Sequence, residues 1–220
     1  MKKSPSTWAR QRRRSSARTE PCMAENWDEH AINWDRDDHV RFYADQAFAS
    51  LIVHVNIQDD EWRTRRILDF GCGTGLLSER LAPLVADVVA IDTSQSMIEV
   101  LDRKEIGNVT TICADIDDPA VRIDATWFSE FDLVVASSVC GFLPDYEATL
   151  GVLAQPLNEG GFFAQWDWLA PDDEPGMTVS RIAHAFDAVD LIPVHIGQAF
   201  SVTFDGDEMP VVMGVARHRR

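Results

Sequence analysis

Three carboxylates and three glycines carry most of the chemistry this chain can offer. Asp69 ends an apolar run and stands two residues before Gly71, after which Gly71, Gly73 and Gly75 alternate in "DFGCGTG". Asp92 closes the next apolar run, "DVVAID", and Asp115 closes a third, "NVTTICAD". Glycines at such a turn let backbone N–H groups approach a ligand closely. A carboxylate at Asp92 can accept two hydrogen bonds from a ribose diol. One at Asp115 can accept from the exocyclic amine of adenine. The dinucleotide fingerprint GxGxxG would need glycine at position 76, where Leu76 stands. Asp69 disfavours a pyrophosphate and tolerates an ammonium or sulfonium. The row of acids therefore suits a neutral or cationic nucleoside better than a nucleotide.

Other chemistries find no support in the sequence. Cys22, Cys72, Cys113 and Cys140 make no CxxC pair, and their separation excludes a three-cysteine iron–sulfur loop. They read as reduced thiols, which points to a cytoplasmic protein. The six His are scattered without an HExxH spacing, so no metal is expected. The net charge is −16, and residues 21–216 hold 10 basic against 35 acidic side chains. Such a body repels phosphate backbones, so no nucleic-acid partner is expected. Apolar runs all fall short of the roughly 18 residues of a membrane span, so no span is expected either.

The elements that must position these residues alternate. "RILDF", "DVVAID", "NVTTICAD", "FDLVVASS" and "GGFFAQWDW" read as short strands, and "TGLLSERLAPLV", "SQSMIEVLDRK", "DYEATLGVLAQPL" and "GMTVSRIAHAFDAV" as helices. "IQDDEWRT" reads as a loop. Strand–helix alternation with apolar strands implies a parallel sheet covered on both faces. "LIPVHIGQAFSVTF", "DGD" and "EMPVVMGVA" read as an antiparallel hairpin. The fold expected is a doubly wound α/β sheet of about seven strands. A single domain over residues 25–217 is expected, with capping helices at 25–57 and the Rossmann-like core at 65–217. Residues 1–24 are basic, Ser-rich and without an apolar stripe, and are expected to be disordered. A transit peptide, an extension upstream of a start at Met23, and a nucleic-acid arm are the readings open for that segment.

At this point the chain resembles the class I S-adenosylmethionine-dependent methyltransferases. "ILDFGCGTG" is similar to the family's first motif, Asp92 to its ribose acid, and "CADI" with Asp115 to its adenine acid. "FDLVVASSVCGFLPD" is similar to the fourth-strand motif and "LNEGGFF" to the turn into the fifth strand. The resemblance implies that Asp69, Gly71, Cys72 and Gly73 line the methionine portion of S-adenosyl-L-methionine, mostly through backbone. Asp92 would hold the ribose with Thr93 beside it, Asp115 and the Ile116 backbone would bracket the adenine, and the Ser137 carbonyl would approach the cofactor. Met97 packs on the adenine or is a core residue of its helix. Trp34 covers the cofactor or is a packing aromatic.

The implied reaction is methyl transfer to a small-molecule acceptor by in-line displacement, with S-adenosyl-L-homocysteine as product. The sequence assigns no catalytic residue. Histidines that some small-molecule members carry near positions 141 and 142 are replaced by Gly141 and Phe142, and the N/D-P-P-Y/F quartet of base methylation is absent. Phe142, Trp34 and Trp166 are candidates for contact with the acceptor, with Trp166 alternatively in the core. Two other functions remain open on the sequence: a regulatory protein that binds the cofactor without turnover, and an aminopropyl-type transferase.

Overall fold

A computed structural model describes residues 27–123, 127–171 and 176–219; the extension expected at 1–24 lies outside them. Seven strands form one sheet: β1 (Arg66–Phe70), β2 (Asp87–Asp92), β3 (Val109–Cys113), β4 (Phe131–Ser137), β5 (Leu157–Trp168), β6 (Leu191–Phe204) and β7 (Asp207–His218). Their order is β3-β2-β1-β4-β5-β7-β6. The first five run parallel, and β7 lies antiparallel between β5 and β6. Continuous apolar runs explain the parallel half: Ile67 to Phe70, Val88 to Ile91 and Phe131 to Ala136 are buried from both sides. At the hairpin, Asp205 and Gly206 have φ of 52° and 92°. Two consecutive positive φ values are what a two-residue turn needs to match the strands' twist.

The helices are α1 (Asp38–His54), α2 (Leu76–Leu81), α3 (Gln95–Asp102), α4 (Pro119–Ile123), α5 (Tyr146–Ala154) and α6 (Val179–Ala188), preceded by helical turns at Trp27–Glu29 and Ala31–Trp34. One face of the sheet packs Ala47, Leu51, Leu77 and Leu81 against Leu133, Trp166, Trp168 and Val215. The other packs Tyr146, Leu150, Ile182 and Phe186 against Val134, Phe163 and Val212. The N-terminal helical stretch is broken at Asp35–Asp37, where the Asp37 carboxylate accepts from the His39 N–H and caps α1. Residues 60–64, expected as loop, wind into a 3₁₀ turn because Trp62 is buried in the first core.

From β1 the chain progresses one way to β2 and β3, then returns past β1 to β4 and β5. The strand order therefore reverses between β1 and β4, which are paired neighbours. In open α/β sheets a crevice forms at the carboxyl ends of such a pair. Asp69, the glycine loop, Ser137 and Ser138 all stand at those ends.

Candidate functional site

The turn after β1 is held by β2. The N–H groups of Gly71 and Cys72 both donate to the Ile91 carbonyl, at 2.9 and 3.1 Å. Gly71, Gly73 and Gly75 have φ of 65°, 54° and 80°, a region that L side chains rarely adopt. They differ in what surrounds them. A Cβ on Gly71 would sit 2.6 Å from Val139 Cγ2, and one on Gly75 2.3 Å from Leu101 Cδ1. A Cβ on Gly73 would meet only Trp34 Nε1, at 4.0 Å. Two glycines are thus required by packing, and the middle one leaves open space above the backbone.

That space is part of a cavity of about 1220 Å³ at the carboxyl ends of β1, β2 and β4. A drug-sized ligand is usually enclosed by about 300–1,000 Å³, so the volume accommodates two small molecules side by side. Of the residues expected at the cofactor, the cavity wall includes Asp69, Gly71, Cys72, Gly73, Asp92, Thr93, Met97, Asp115 and Ser137. Met97 is buried to 2% exposure and also lines the cavity. Ile116 is not on the wall; its side chain joins the core with Leu68, Ile91 and Leu150.

The carboxylates at the strand ends are engaged by the protein in different ways. Asp92 accepts from the Gly73 N–H through Oδ2 (2.8 Å) and from the Ser94 N–H through Oδ1 (2.9 Å). Burial raises its pKa, while those bonds oppose the rise. Asp69 is buried and accepts from Ser78 Oγ at 2.6 Å. Burial pushes its carboxyl up to about 6, with the Ser78 bond pulling it down and the Asp92 charge adding to the rise. Burial, with the charges of Asp69 and Asp92, also raises the Cys72 thiol far from its thiolate form. Cys72 is therefore no nucleophile.

The Asp69 shift has a stability consequence. A carboxyl whose pKa is raised on folding favours the folded state in its protonated form. Its contribution is fully present below about 3.8 and is lost as pH rises through about 6. Asp69→Asn keeps an acceptor for Ser78 and removes the charge. Its stability relative to the parent is expected to rise between pH 4 and 6 in urea denaturation. A flat difference across that window would remove the assignment.

The N-terminal turns close over this loop. Asp28 Oδ1 accepts from Ser94 Oγ (2.5 Å) and from the Ser96 N–H (3.1 Å), and the Ser94 bond leads the causes that hold its carboxyl below the ordinary range. The Thr74 hydroxyl donates to Asp35, whose other oxygen lies 2.8 Å from Lys104 Nζ. Between these two ties stand Trp27 and Trp34, edge to face at 6.0 Å, and Trp27 meets Phe142 edge to face at 5.3 Å. Trp27, Trp34 and Phe142 all line the cavity.

Trp166 does not. It is fully buried among Leu51, Leu133 and Val215, and its indole N–H donates to Ser50 Oγ at 2.8 Å. The expectation that it contacts the acceptor is corrected. Trp166 and Trp168 share a strand face, and that face looks onto α1. The opposite face carries Asp167. Asp167 Oδ1 accepts from the Gly141 N–H (2.8 Å) and Oδ2 from Gln165 Nε2 (3.2 Å), while Gln165 Oε1 accepts from the Tyr146 hydroxyl (2.6 Å). This buried chain fixes the turn Cys140–Phe142 and with it the Phe142 ring.

A methyltransferase-domain family model matches residues 68–163, the stretch from β1 into β5 that carries the loop and the acids. That stretch is similar to the methyltransferase domain of the class I S-adenosylmethionine-dependent enzymes. The chain is 28% identical to the malonyl-[acyl-carrier protein] O-methyltransferase of Bacillus cereus over 134 residues, which are 60% of this chain and 46% of that protein. It is 36% identical to the cypemycin N-terminal methyltransferase of a Streptomyces species over 104 residues, 44% of this chain and 39% of that one. The chain thus spans less than half the length of these curated relatives. The crystal structure of the N-methyltransferase NodS from Bradyrhizobium japonicum, in complex with S-adenosyl-L-homocysteine, shares the fold. Its TM-score is 0.64 at 17% identity, covering 89% of this chain and all of that one.

Within this family fold, several wall residues escaped the sequence reading, including Ser138, Val139, Asp117, Asp145 and Thr149. The Asp145 carboxylate accepts from the Ala148 N–H and caps the start of α5. Ser138 gave no local signal. Among the described residues no three His, Cys, Asp or Glu are grouped to hold a metal, and no helix is long and apolar enough to cross a membrane.

Proposed function

We propose that the chain transfers a methyl group from S-adenosyl-L-methionine to a small-molecule acceptor. The observation that carries this reading is the open cradle above Gly73, bounded by Asp92 and Trp34, between two glycines whose neighbours leave no such room. Each Asp92 oxygen accepts one backbone N–H and keeps lone-pair capacity for a ribose diol. Asp115 stands exposed on the wall to meet the adenine amine, with Met97 beneath and Thr93 beside the ribose. The backbone of Asp69, Gly71, Cys72 and Gly73, and the Ser137 carbonyl, would receive the amino-acid end. The cofactor supplies an electrophilic methyl on a positively charged sulfur. The protein's part is to align the acceptor with that methyl and exclude water, the latter through Trp27, Trp34 and Phe142.

The relatives' names include both an O-methyltransferase and an N-terminal methyltransferase, so they leave the methylated atom open. The acidic body and the aromatic-walled cavity support a partly apolar small molecule over a polymer. The free thiols of Cys72, Cys113 and Cys140 support a cytoplasmic setting.

Calorimetry with S-adenosyl-L-homocysteine, and release of that product from methyl-labelled cofactor in a metabolite extract, test the reading. Binding without release in any extract would favour a regulatory binding protein. Turnover with decarboxylated cofactor alone would favour aminopropyl transfer. Phe142→Ala is expected to impair turnover of the true acceptor while leaving S-adenosyl-L-homocysteine affinity within about threefold, below roughly 0.7 kcal/mol. Wild-type turnover in that variant would detach Phe142 from the acceptor.

A further inference from the structure

We infer that the acceptor is a small amine, its apolar body against Trp27 and Phe142 and its nitrogen at the Ser138 hydroxyl. This rests on the methyl-transfer reading above and adds the chemical class of the acceptor.

Charge decides first. The cavity wall carries Asp69, Asp92, Asp115, Asp117 and Asp145, and among the described residues that line it none is Lys, Arg or His. A carboxylate or phosphate acceptor would be desolvated there with no counter-charge, among like charges. A phenol faces a related obstacle, since it attacks as a phenolate, an anion among those acids, and among the described residues no histidine lines the cavity to take its proton. Asp69 already accepts from Ser78, and the half-buried Asp92 from two backbone N–H groups. An amine needs no counter-charge: its ammonium form releases a proton to water before attack, and the form that attacks is neutral. Its cationic form is attracted by the acids and by aromatic faces, and its neutral fraction carries a free lone pair. That lone pair forms the N–C bond as the S–C bond breaks with its electrons going to sulfur, and the excess proton leaves to water.

Ser138 is the independent observation. Its Oγ is buried without a hydrogen-bond partner, and it lines the cavity. Buried hydroxyls are nearly always satisfied. Ser138 also holds φ of 59°, pinned by its N–H donating to the Trp166 carbonyl at 2.7 Å. L residues seldom adopt that conformation, and such strain concentrates at ligand sites. An amine N–H donated to Ser138 Oγ would satisfy the hydroxyl and orient the nitrogen.

The test uses the full chain saturated with S-adenosyl-L-homocysteine and ligand-observed saturation-transfer NMR. The probes are two matched pairs: benzylamine against benzoate, and tryptamine against indole-3-acetate. Each amine is expected to bind at least about tenfold more tightly than its acid partner. Ser138→Ala should weaken amine binding by about three- to tenfold and leave S-adenosyl-L-homocysteine affinity unchanged. Ser138→Gly should lose the same binding yet melt at a higher temperature, because glycine relieves the strained φ. Acids binding as well as amines, or no amine binding to the loaded protein, overturns the inference. Unchanged amine binding in both Ser138 variants removes the hydroxyl from it. Failure of the parent chain to bind S-adenosyl-L-homocysteine overturns the methyl-transfer reading instead.

Discussion

Replacing Trp166 by Ala is expected to lower the free energy of unfolding by about 3–5 kcal/mol, the range for truncating a buried aromatic. The side chain is fully buried between β5 and α1, in the core that contains Ala47 and Leu51. Truncation opens a large void and leaves Ser50 Oγ without the indole N–H that it now accepts. Domains are stable by only about 5–15 kcal/mol, so a large share of the margin would go. Trp166→Phe should recover most of the packing and forfeit the hydrogen bond, about 1 kcal/mol. The backbone of Trp166 matters separately, because its carbonyl holds the Ser138 N–H, and neither substitution removes it. Cofactor affinity of the folded fraction should therefore change little. Urea denaturation paired with calorimetry measures both. A variant of unchanged stability that has lost acceptor turnover would return Trp166 to the site.

This case marks where the sequence stops being informative. Alternation along "QWDW" tells that Trp166 and Trp168 share a face and that Asp167 does not, but the face that meets α1 depends on packing between distant segments. Short-range signals fared differently. The glycine loop needs positive φ within a few residues of an apolar strand end, a requirement visible in "DFGCGTG". Asp92 lies one strand–helix unit later, where parallel pairing of β1 with β2 must bring it beside the loop. The ties that close the site were invisible for the opposite reason. Asp28 to Ser94, Thr74 to Asp35 and Asp167 to Gly141 join segments whose approach only the complete sheet defines. Ser138 escaped for a third reason. Serine carries no propensity for the conformation it holds, so its strain is imposed by the structure around it.

Asp92→Ala is expected to weaken S-adenosyl-L-homocysteine binding by about 2–4 kcal/mol, roughly 30- to 1,000-fold. Two effects combine. The ribose diol loses two charge-assisted acceptors, and the Gly73 and Ser94 N–H groups lose the carboxylate that fixes the loop and the start of α3. Asp92→Asn is not a mild control. Both carboxylate oxygens face backbone donors, so an amide must turn its NH₂ toward one of them, and its affinity should fall close to that of the Ala variant. A thermodynamic cycle separates the two effects. Adenosine and 2′,3′-dideoxyadenosine are titrated against the parent chain and Asp92→Ala. If Asp92 acts through the diol, removing the diol costs affinity in the parent and almost nothing in the variant. If it acts only by shaping the loop, the two nucleosides differ equally in both proteins. That second outcome would leave Asp92 a structural residue and transfer recognition of the ribose elsewhere on the cavity wall.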